Sequence, residues 1–292
     1  MATDATALLP DGAARGSLFY MIEELEIPSG DYRLPARLHL PDAAPKAAYV
    51  LHPATGVPWD YYARFAEWVA EQGFAILRYR YRSDGQNTAA LKASRITMAD
   101  WGITDQNAAL NALADRFPGV ELRVIGHSLG GFMTMFHDRA NQITRLSAVC
   151  SGPAYWVRTP FPRIIGTAAY WHLLGPLACT ALGYLPARLL GGTEDLPTTA
   201  FYQWRVWCGN RHLHRPQWGN LLPQPDLQAF SGELNLVAVS DDWMIPPPVV
   251  ADLAGFYPAA EPGLAVIEPA AKPIGHLSVF RPRNAAHWPK LL

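Results

Sequence analysis

Short apolar runs alternate with amphipathic segments along most of the chain. Runs at 47–51, 74–81 and 121–125 have the length of buried strands. The segments 61–72 and 97–116 lie between them and carry apolar residues at helical spacing. This alternation predicts an α/β fold with a mostly parallel central sheet flanked by helices.

Further apolar runs extend the same pattern toward both ends of the chain. They predict additional strands at 23–28, 33–40, 146–150, 234–239 and 264–267, and an additional helix at 249–257.

The alternation stops between residues 153 and 230, which are rich in Trp, Pro, Leu and Gly and show no strand pattern. We interpret 153–230 as a helical lid inserted after the sixth predicted strand. The core domain is then expected at 17–152 and 231–292, after an N-terminal tail at 1–16. An independent second domain is the alternative, but strands on both sides of the insertion are needed to complete one sheet.

Composition narrows the class of protein. Half of the 292 residues are hydrophobic and the net charge is −1, so one large core is expected and nucleic acid is not an expected partner. The three cysteines are widely spaced, which predicts buried reduced thiols rather than a metal or redox pair. The first 16 residues show no basic region followed by an apolar core, and a cytoplasmic location is predicted.

The segment 164–184 carries no formal charge and is long enough to cross a bilayer. Gly166, Gly175 and Pro176 dilute its hydrophobic character, and it lies in the middle of an otherwise ordinary globular pattern. We therefore expect an apolar lid over a site here and no membrane span.

A G-x-S-x-G pattern is formed by Gly126, Ser128 and Gly130 between the predicted strand 121–125 and a predicted helix at 131–140. Such a strand-turn-helix context exposes the serine hydroxyl on a tight, strained turn. Side chains at 126 or 130 would clash with the neighbouring strand and helix. Ser128 is the candidate nucleophile.

A serine hydroxyl needs a base, and histidine suits because its pKa lies near neutral pH. His276 follows the last predicted strand, in a loop containing Pro273 and Gly275. The carboxyl edge of a parallel sheet is where such folds place their sites. His276 is therefore the candidate base.

The histidine in turn needs an acid to fix its tautomer. Asp241 and Asp242 directly follow the apolar strand 234–239, so either carboxylate fits. Glu268, close to the strand before His276, is a more distant alternative.

The oxyanion of an acyl intermediate needs backbone donors. The N–H of Leu129, at the start of the helix, is one candidate. The loop 52–57 should supply the other, and because Pro53 has no N–H, Ala54 is the predicted donor.

Together these features resemble the α/β-hydrolase superfamily over nearly the whole chain. The segment 78–86 is similar to the family's stretch after its fourth strand, although Arg80 and Ser83 stand where Asp and Gly are usual. The resemblance favours Asp242 over Asp241, since an Asp-x-x-x-Pro spacing is common after that strand. The motifs that carry it are His52-Pro53, the elbow 126–131, Asp242 with Pro246, and Gly275-His276.

Elements of the insertion and of the C-terminus are similar to a group of bacterial serine hydrolases. They are Glu194-Asp195-Leu196-Pro197, the Trp204/Trp207 segment and Gly275-His276 followed by Phe280-Arg281.

The resemblance implies a serine hydrolase of a carboxylic ester or thioester, with no metal or organic cofactor. An acyltransferase or a cofactor-free lyase or cyclase is the alternative on this fold, and a non-catalytic binding protein comes after these. A homodimer is left open. Tryptophans line pockets, so a small hydrophobic acyl or aromatic substrate is expected. The predicted substrate-binding residues are Trp156, Trp204, Trp207, Trp243 and His127.

His212 and His214 suggest a metal, but two histidines without a third ligand are usually surface residues. No metal site is predicted from them.

Overall fold

A computed structural model describes residues 14–17, 20–82, 85 and 87–292. Its strands are β1 Ala14–Ser17, β2 Tyr20–Ser29, β3 Tyr32–Pro41, β4 Ala48–His52, β5 Ala75–Tyr79, β6 Leu122–His127, β7 Ile143–Val149, β8 Tyr184–Leu185, β9 Leu196–Pro197, β10 Glu233–Val239 and β11 Glu261–Ile267.

Its α-helices are α1 Ala63–Glu71, α2 Thr88–Ala93, α3 Gln106–Arg116, α4 Leu129–Phe132, α5 Arg163–Ala169, α6 Gly175–Leu182, α7 Thr198–Cys208 and α8 Pro247–Ala251. Two π-helical stretches lie at Asp100–Asp105 and Tyr170–Leu174, and the chain ends in a 3₁₀-helical segment, Pro282–Leu291.

Nine strands form one sheet in the order β1-β2-β3-β5-β4-β6-β7-β10-β11. The six strands from β5 to β11 in this order are parallel, whereas β1, β2 and β3 join antiparallel at one edge. The predicted α/β fold with a mostly parallel sheet is confirmed. Because parallel strands end at one edge, the loops after β4, β6 and β10 meet there.

The N-terminal prediction needs a correction. The predicted tail 1–16 ends in β1, which pairs antiparallel with β2, Ala14 opposite Ile22. Residues 1–13 lie outside the described part of the chain. Counting β1, the predicted insertion follows the seventh strand rather than the sixth, and it contains the short pair β8–β9.

Three predicted helices are shorter than their patterns suggested. The helix expected at 249–257 is α-helical only as far as Ala251 and continues as a 3₁₀ helix over Asp252–Phe256. The helix expected at 97–116 is π-helical over Asp100–Asp105 before α3 begins. The helix expected at 131–140 is only the single turn α4, followed by a 3₁₀ turn at Thr134–Phe136. Gly130 and Gly131 are poor helix formers, and the close packing around them explains why glycine occupies these positions.

Apolar side chains cover both faces of the sheet. Val50, Leu77 and Val124 point into the cluster on one face, while Tyr49, Leu51 and Ile125 point into the cluster on the other, as strand alternation requires. The predicted buried thiols are confirmed, since Cys150, Cys179 and Cys208 are all free and buried.

The insertion packs on one of these two faces. Trp171, Phe201 and Trp207 belong to the same buried cluster as Leu129 and Phe132, next to the serine turn. Among the described residues, no helix combines the length and the apolar character needed to cross a membrane. The assignment of 153–230 as a lid stays a prediction.

The family-like segment 78–86 is only partly described. Arg80 lies beside Gly85, which has a positive φ of 68°. Ser83, Asp84 and Gln86 lie outside the described residues.

Candidate active site

Ser128 occupies a strained backbone position between β6 and α4. Its φ is 52° and its ψ is −113°, a combination that L-residues rarely adopt. The turn is held on both sides, because the Ser128 N–H donates to the Val149 carbonyl at 3.0 Å and the Ser151 hydroxyl donates to the Ser128 carbonyl at 2.7 Å. The surroundings thus fix a conformation that the residue alone would avoid.

The glycines of the elbow are explained by contact distances. A Cβ atom on Gly126 would lie 2.4 Å from the Gly130 backbone, and one on Gly130 would lie 2.2 Å from the His52 carbonyl oxygen. A Cβ on Gly131 would lie 2.7 Å from the Ser151 hydroxyl. The clash predicted for side chains at 126 and 130 is confirmed.

His276 and Asp242 form a hydrogen-bonded pair at the carboxyl edge. The distance from His276 Nδ1 to Asp242 Oδ2 is 2.8 Å, and the Asp242 side chain is fully buried. Burial alone would raise the pKa of Asp242. The hydrogen bond and the charge of His276 outweigh this effect of burial, and the N–H groups of Ile245 and Met244 that donate to Oδ1 add to them. The pKa of Asp242 is therefore held below its usual value.

The ionised carboxylate can only accept, so it fixes the proton of His276 on Nδ1. The other ring nitrogen, Nε2, is then left with a lone pair that can accept a proton from a hydroxyl.

Asp241 has different hydrogen-bond partners from Asp242. Its carboxylate accepts the N–H groups of Ile274 at 3.0 Å and Gly275 at 2.8 Å, and so holds the loop that carries His276. Glu268 instead accepts the Ser240 hydroxyl at 2.5 Å in an exposed position. Of the three predicted acids, only Asp242 contacts the imidazole.

The two predicted oxyanion donors differ in their surroundings. Leu129 begins α4, so its N–H has no partner within the helix. The Ala54 N–H, by contrast, donates to the Tyr62 hydroxyl at 3.0 Å. The N–H of the next residue, Thr55, makes no hydrogen bond to any residue that the structure describes, and Thr55 lines the cavity beside Ser128.

A cavity of about 670 Å³ opens in front of Ser128. Three of the predicted substrate-binding residues line it, namely Trp156, Trp204 and Trp243. Most other lining residues are apolar and come from the insertion, and Trp171 is among them.

Two charged side chains in the cavity lining have partners. Glu194 pairs with Arg188, and the Arg163 guanidinium lies 5.8 Å from the centre of the Trp243 ring.

The two remaining predicted substrate-binding residues lie outside the cavity lining. Trp207 is fully buried, and its indole N–H donates to the Gln217 side chain at 2.8 Å. His127 is also fully buried, because successive residues of β6 point to opposite faces and the ring turns away from the cavity. Its Nε2 lies 3.0 Å from the His276 carbonyl oxygen.

Sequence reasoning missed Cys150 and Tyr62. Cys150 has a positive φ of 46°, and its thiol lies within 4.8 Å of the functional atoms of Asp242 and His276. These three could in principle hold a metal ion. Burial, with the Asp242 charge, raises the pKa of the Cys150 thiol well above its usual value, so this thiol is protonated at neutral pH. No local motif marks either residue.

His214 has no free position for a ligand. It is fully buried, with the Trp218 indole N–H donating to its Nδ1 at 2.9 Å. Its Nε2 lies 3.4 Å from the Phe132 carbonyl oxygen.

Comparisons with known proteins relate this fold to characterised chains. A family model described as serine aminopeptidase, S33, matches residues 43–182, just under half of the chain. A carboxyl esterase of Bacillus coagulans is similar with a TM-score of 0.60 at 9% identity, over 94% of this chain and 96% of that chain. An esterase of Pyrococcus furiosus is similar with a TM-score of 0.54 at 16% identity, over 93% of this chain and 89% of that chain.

An esterase of Thermogutta terrifontis, at 14% identity and a TM-score of 0.53, covers 90% of this chain and 95% of its own. No curated protein has a matching sequence. At these identities the structural similarity establishes a common fold.

Proposed function

We propose that the chain is an α/β-hydrolase that acts as a serine hydrolase of carboxylic esters or thioesters, and the common fold and the family model matched over residues 43–182 support this proposal. The observation that carries the proposal is the His276–Asp242 hydrogen bond at 2.8 Å, located at the same sheet edge as the strained Ser128. A buried ionised acid behind an imidazole has a clear use in activating a hydroxyl.

In the proposed first step, Ser128 Oγ attacks the substrate carbonyl carbon and its proton passes to His276 Nε2. The Oγ–C bond forms, and the carbonyl oxygen becomes an oxyanion. When the C–O or C–S bond to the leaving group breaks, the imidazolium returns its proton to that group. Water then attacks the acyl-enzyme with His276 as the base, which releases the acid and restores the Ser128 hydroxyl.

We assign the oxyanion donors to the N–H groups of Leu129 and Thr55. Leu129 stands at the helix start, and Thr55 lines the cavity with an N–H that has no partner among the described residues. This replaces the sequence-based assignment of Ala54, whose N–H is already bonded to Tyr62.

The cavity supports a hydrophobic acyl or aromatic substrate, with 153–230 acting as the lid that sets specificity. Its volume of about 670 Å³ is that of a pocket for a small organic molecule. Trp156, Trp204 and Trp243 supply broad apolar walls.

Hydrolysis of p-nitrophenyl esters from acetate to octanoate tests the proposal. Each added CH₂ that enters the cavity is worth about 0.8 kcal/mol, so kcat/KM should rise by up to roughly fourfold per carbon. Ser128→Ala should lower kcat by roughly 10⁶-fold. Ser147→Ala is the matched control, because Ser147 is a buried serine of β7 that bonds Asn235. Equal activity of the two variants would contradict the proposal.

A further inference from the structure

Three hydrogen bonds, two of them buried and the third partly buried, join the loop after β4 to the loop that carries His276. The Ala54 N–H lies 3.0 Å from the Tyr62 hydroxyl, and that hydroxyl lies 2.8 Å from His127 Nδ1. His127 Nε2 in turn lies 3.0 Å from the His276 carbonyl oxygen. This series of hydrogen bonds thus connects the loop that carries the oxyanion donor with the loop that carries the base.

The donor and the acceptor of each of these three hydrogen bonds can be assigned. A carbonyl oxygen can only accept, so His127 must carry its proton on Nε2. Burial, with a smaller contribution from the charge of His276, lowers the pKa of His127 to about 3, so the ring is neutral and Nδ1 is an acceptor. The Tyr62 hydroxyl therefore donates to His127 and accepts from Ala54. A single tautomer satisfies all three bonds.

The packing leaves these two side chains little freedom to rearrange. Tyr62 and His127 are both fully buried, and each ring centre lies 5.0 Å from the centre of the Phe280 ring. A polar group that lost its partner here would find no water in its place, which is costly in a buried site.

We propose that Tyr62 and His127 are positioning residues. They keep the loop 52–57, which carries the oxyanion donor, aligned with the loop that carries the base His276. The inference rests on the proposed serine hydrolase function. Tyr62 holds the Ala54 amide, which leaves the cavity-lining Thr55 with an N–H that has no partner among the described residues. His127 donates to the His276 carbonyl oxygen, while Asp242 accepts from Nδ1 of the His276 ring.

Tyr62→Phe is the first test, with Tyr49→Phe as the matched control. Tyr49 is also fully buried and its hydroxyl also takes part in two hydrogen bonds, with Arg123 and the Leu292 carbonyl, in the part of the sheet away from the site. We expect Tyr62→Phe to lower kcat for p-nitrophenyl butyrate by roughly tenfold to hundredfold at an unchanged KM, because misplaced groups lose that much rate. Tyr49→Phe should keep the wild-type kcat. Equal kcat values for both variants would overturn the proposal.

Substitutions of His127 test the positioning role independently, so the proposal stays testable even if Tyr62→Phe destabilises the fold. Gln places an N–H near the position of Nε2 and can still donate to the His276 carbonyl, whereas the shorter Asn cannot reach it. We expect His127→Gln to stay within a fewfold of wild-type kcat and His127→Asn to lose roughly tenfold to hundredfold. Melting temperatures of both variants report any purely structural effect. An Asn variant as active as the Gln variant would contradict the positioning role.

The double variant Tyr62→Phe with His127→Asn completes the design. Residues that act through one chain of bonds lose their effect together, so the double variant should be no slower than the slower single variant. Losses in kcat that multiply would show two independent roles and overturn the proposal. Failure of the proposed function is distinguishable, because a wild-type protein without esterase activity has no kcat to lose.

Discussion

At the scale of single residues, the site depends on positions that local preference disfavours. Ser128 holds a backbone conformation suited to glycine, and the hydrogen bonds to Val149 and Ser151 keep it there. Strain of this kind persists where the surrounding structure over-determines it. The elbow 126–131 is therefore expected to lower the free energy of unfolding while it exposes the Ser128 hydroxyl.

Replacing Ser128 by Gly and by Ala separates strain from loss of the hydroxyl. Both variants lack the hydroxyl, but only glycine adopts a φ of 52° without steric cost. We expect Ser128→Gly to be more stable than Ser128→Ala by about 1 kcal/mol, after the greater entropy of glycine in the unfolded chain is subtracted. Urea unfolding measures the difference. A less stable glycine variant would show that the backbone is not strained.

The two neighbouring aspartates allow a paired test of roles. Asp242→Asn would offer an N–H to His276 Nδ1 and favour the wrong tautomer, so kcat should fall by roughly 10⁴-fold. Asp241→Asn keeps one acceptor for the loop amides of Ile274 and Gly275 and should lower kcat only about tenfold. Steady-state kinetics of the two variants decide the assignment. A greater loss in the Asp241 variant would reverse it.

At the scale of elements, the strands were easier to predict than the helices. The apolar runs of the parallel strands are continuous and end at turn residues, so their pattern is unambiguous. The helix after Ser128 is a single turn, because Gly130 and Gly131 serve contact with His52 and Ser151 rather than helix propagation. Periodicity alone carries no information about such contacts.

Helix α5 offers a way to alter the cavity in front of Ser128, which is the proposed acyl site. Gly166 lines the cavity, and a Cβ added there meets no atom within 4 Å. We expect Gly166→Leu to lower kcat/KM for p-nitrophenyl octanoate by about tenfold and to leave acetate hydrolysis unchanged, since only the long chain needs the filled space. Gly255→Leu is the control, since Gly255 also has open space around it but lies outside the cavity lining. Equal losses for both esters would exclude this part of the cavity as the acyl site.

At the scale of the whole molecule, five histidines are buried in the fold. Burial lowers the pKa of His39, His127, His137 and His214 to about 3, with the charge of Arg78 adding to the effect at His39. Burial lowers the pKa of His52 well below its usual value. All five are therefore neutral in the folded protein, whereas in the unfolded chain they titrate near 6.5.

The pH dependence of stability follows from this difference. Below pH 6.5 the unfolded chain binds protons that the folded protein does not, so the free energy of unfolding falls as the pH falls toward 3. Each histidine contributes about 1.4 kcal/mol per pH unit in that window. Urea unfolding followed by tryptophan fluorescence should show a plateau at pH 7–8 and a steep decline below 6.5. A constant free energy of unfolding down to pH 5 would contradict the neutral burial of these residues.

The sequence predicted the sheet and the Ser128, Asp242 and His276 candidates because each is tied to a local signal at a strand end. It could not predict the Tyr62 bond to Ala54, since that contact depends on how α1 and its preceding turn pack over the sheet. The prediction that His127 binds substrate did not take the direction of its side chain into account. Strand alternation, applied to β6, would have turned its side chain the other way.

The proposed nucleophile is tested most directly by labelling with a fluorophosphonate and locating the adduct by peptide mass spectrometry. We predict one label per chain, on Ser128, with no label on Ser128→Ala and wild-type labelling of Ser147→Ala. His276→Ala should be labelled far more slowly, since the hydroxyl then has no base. A label on any other residue, or wild-type labelling of Ser128→Ala, would contradict the assignment of Ser128 as the nucleophile.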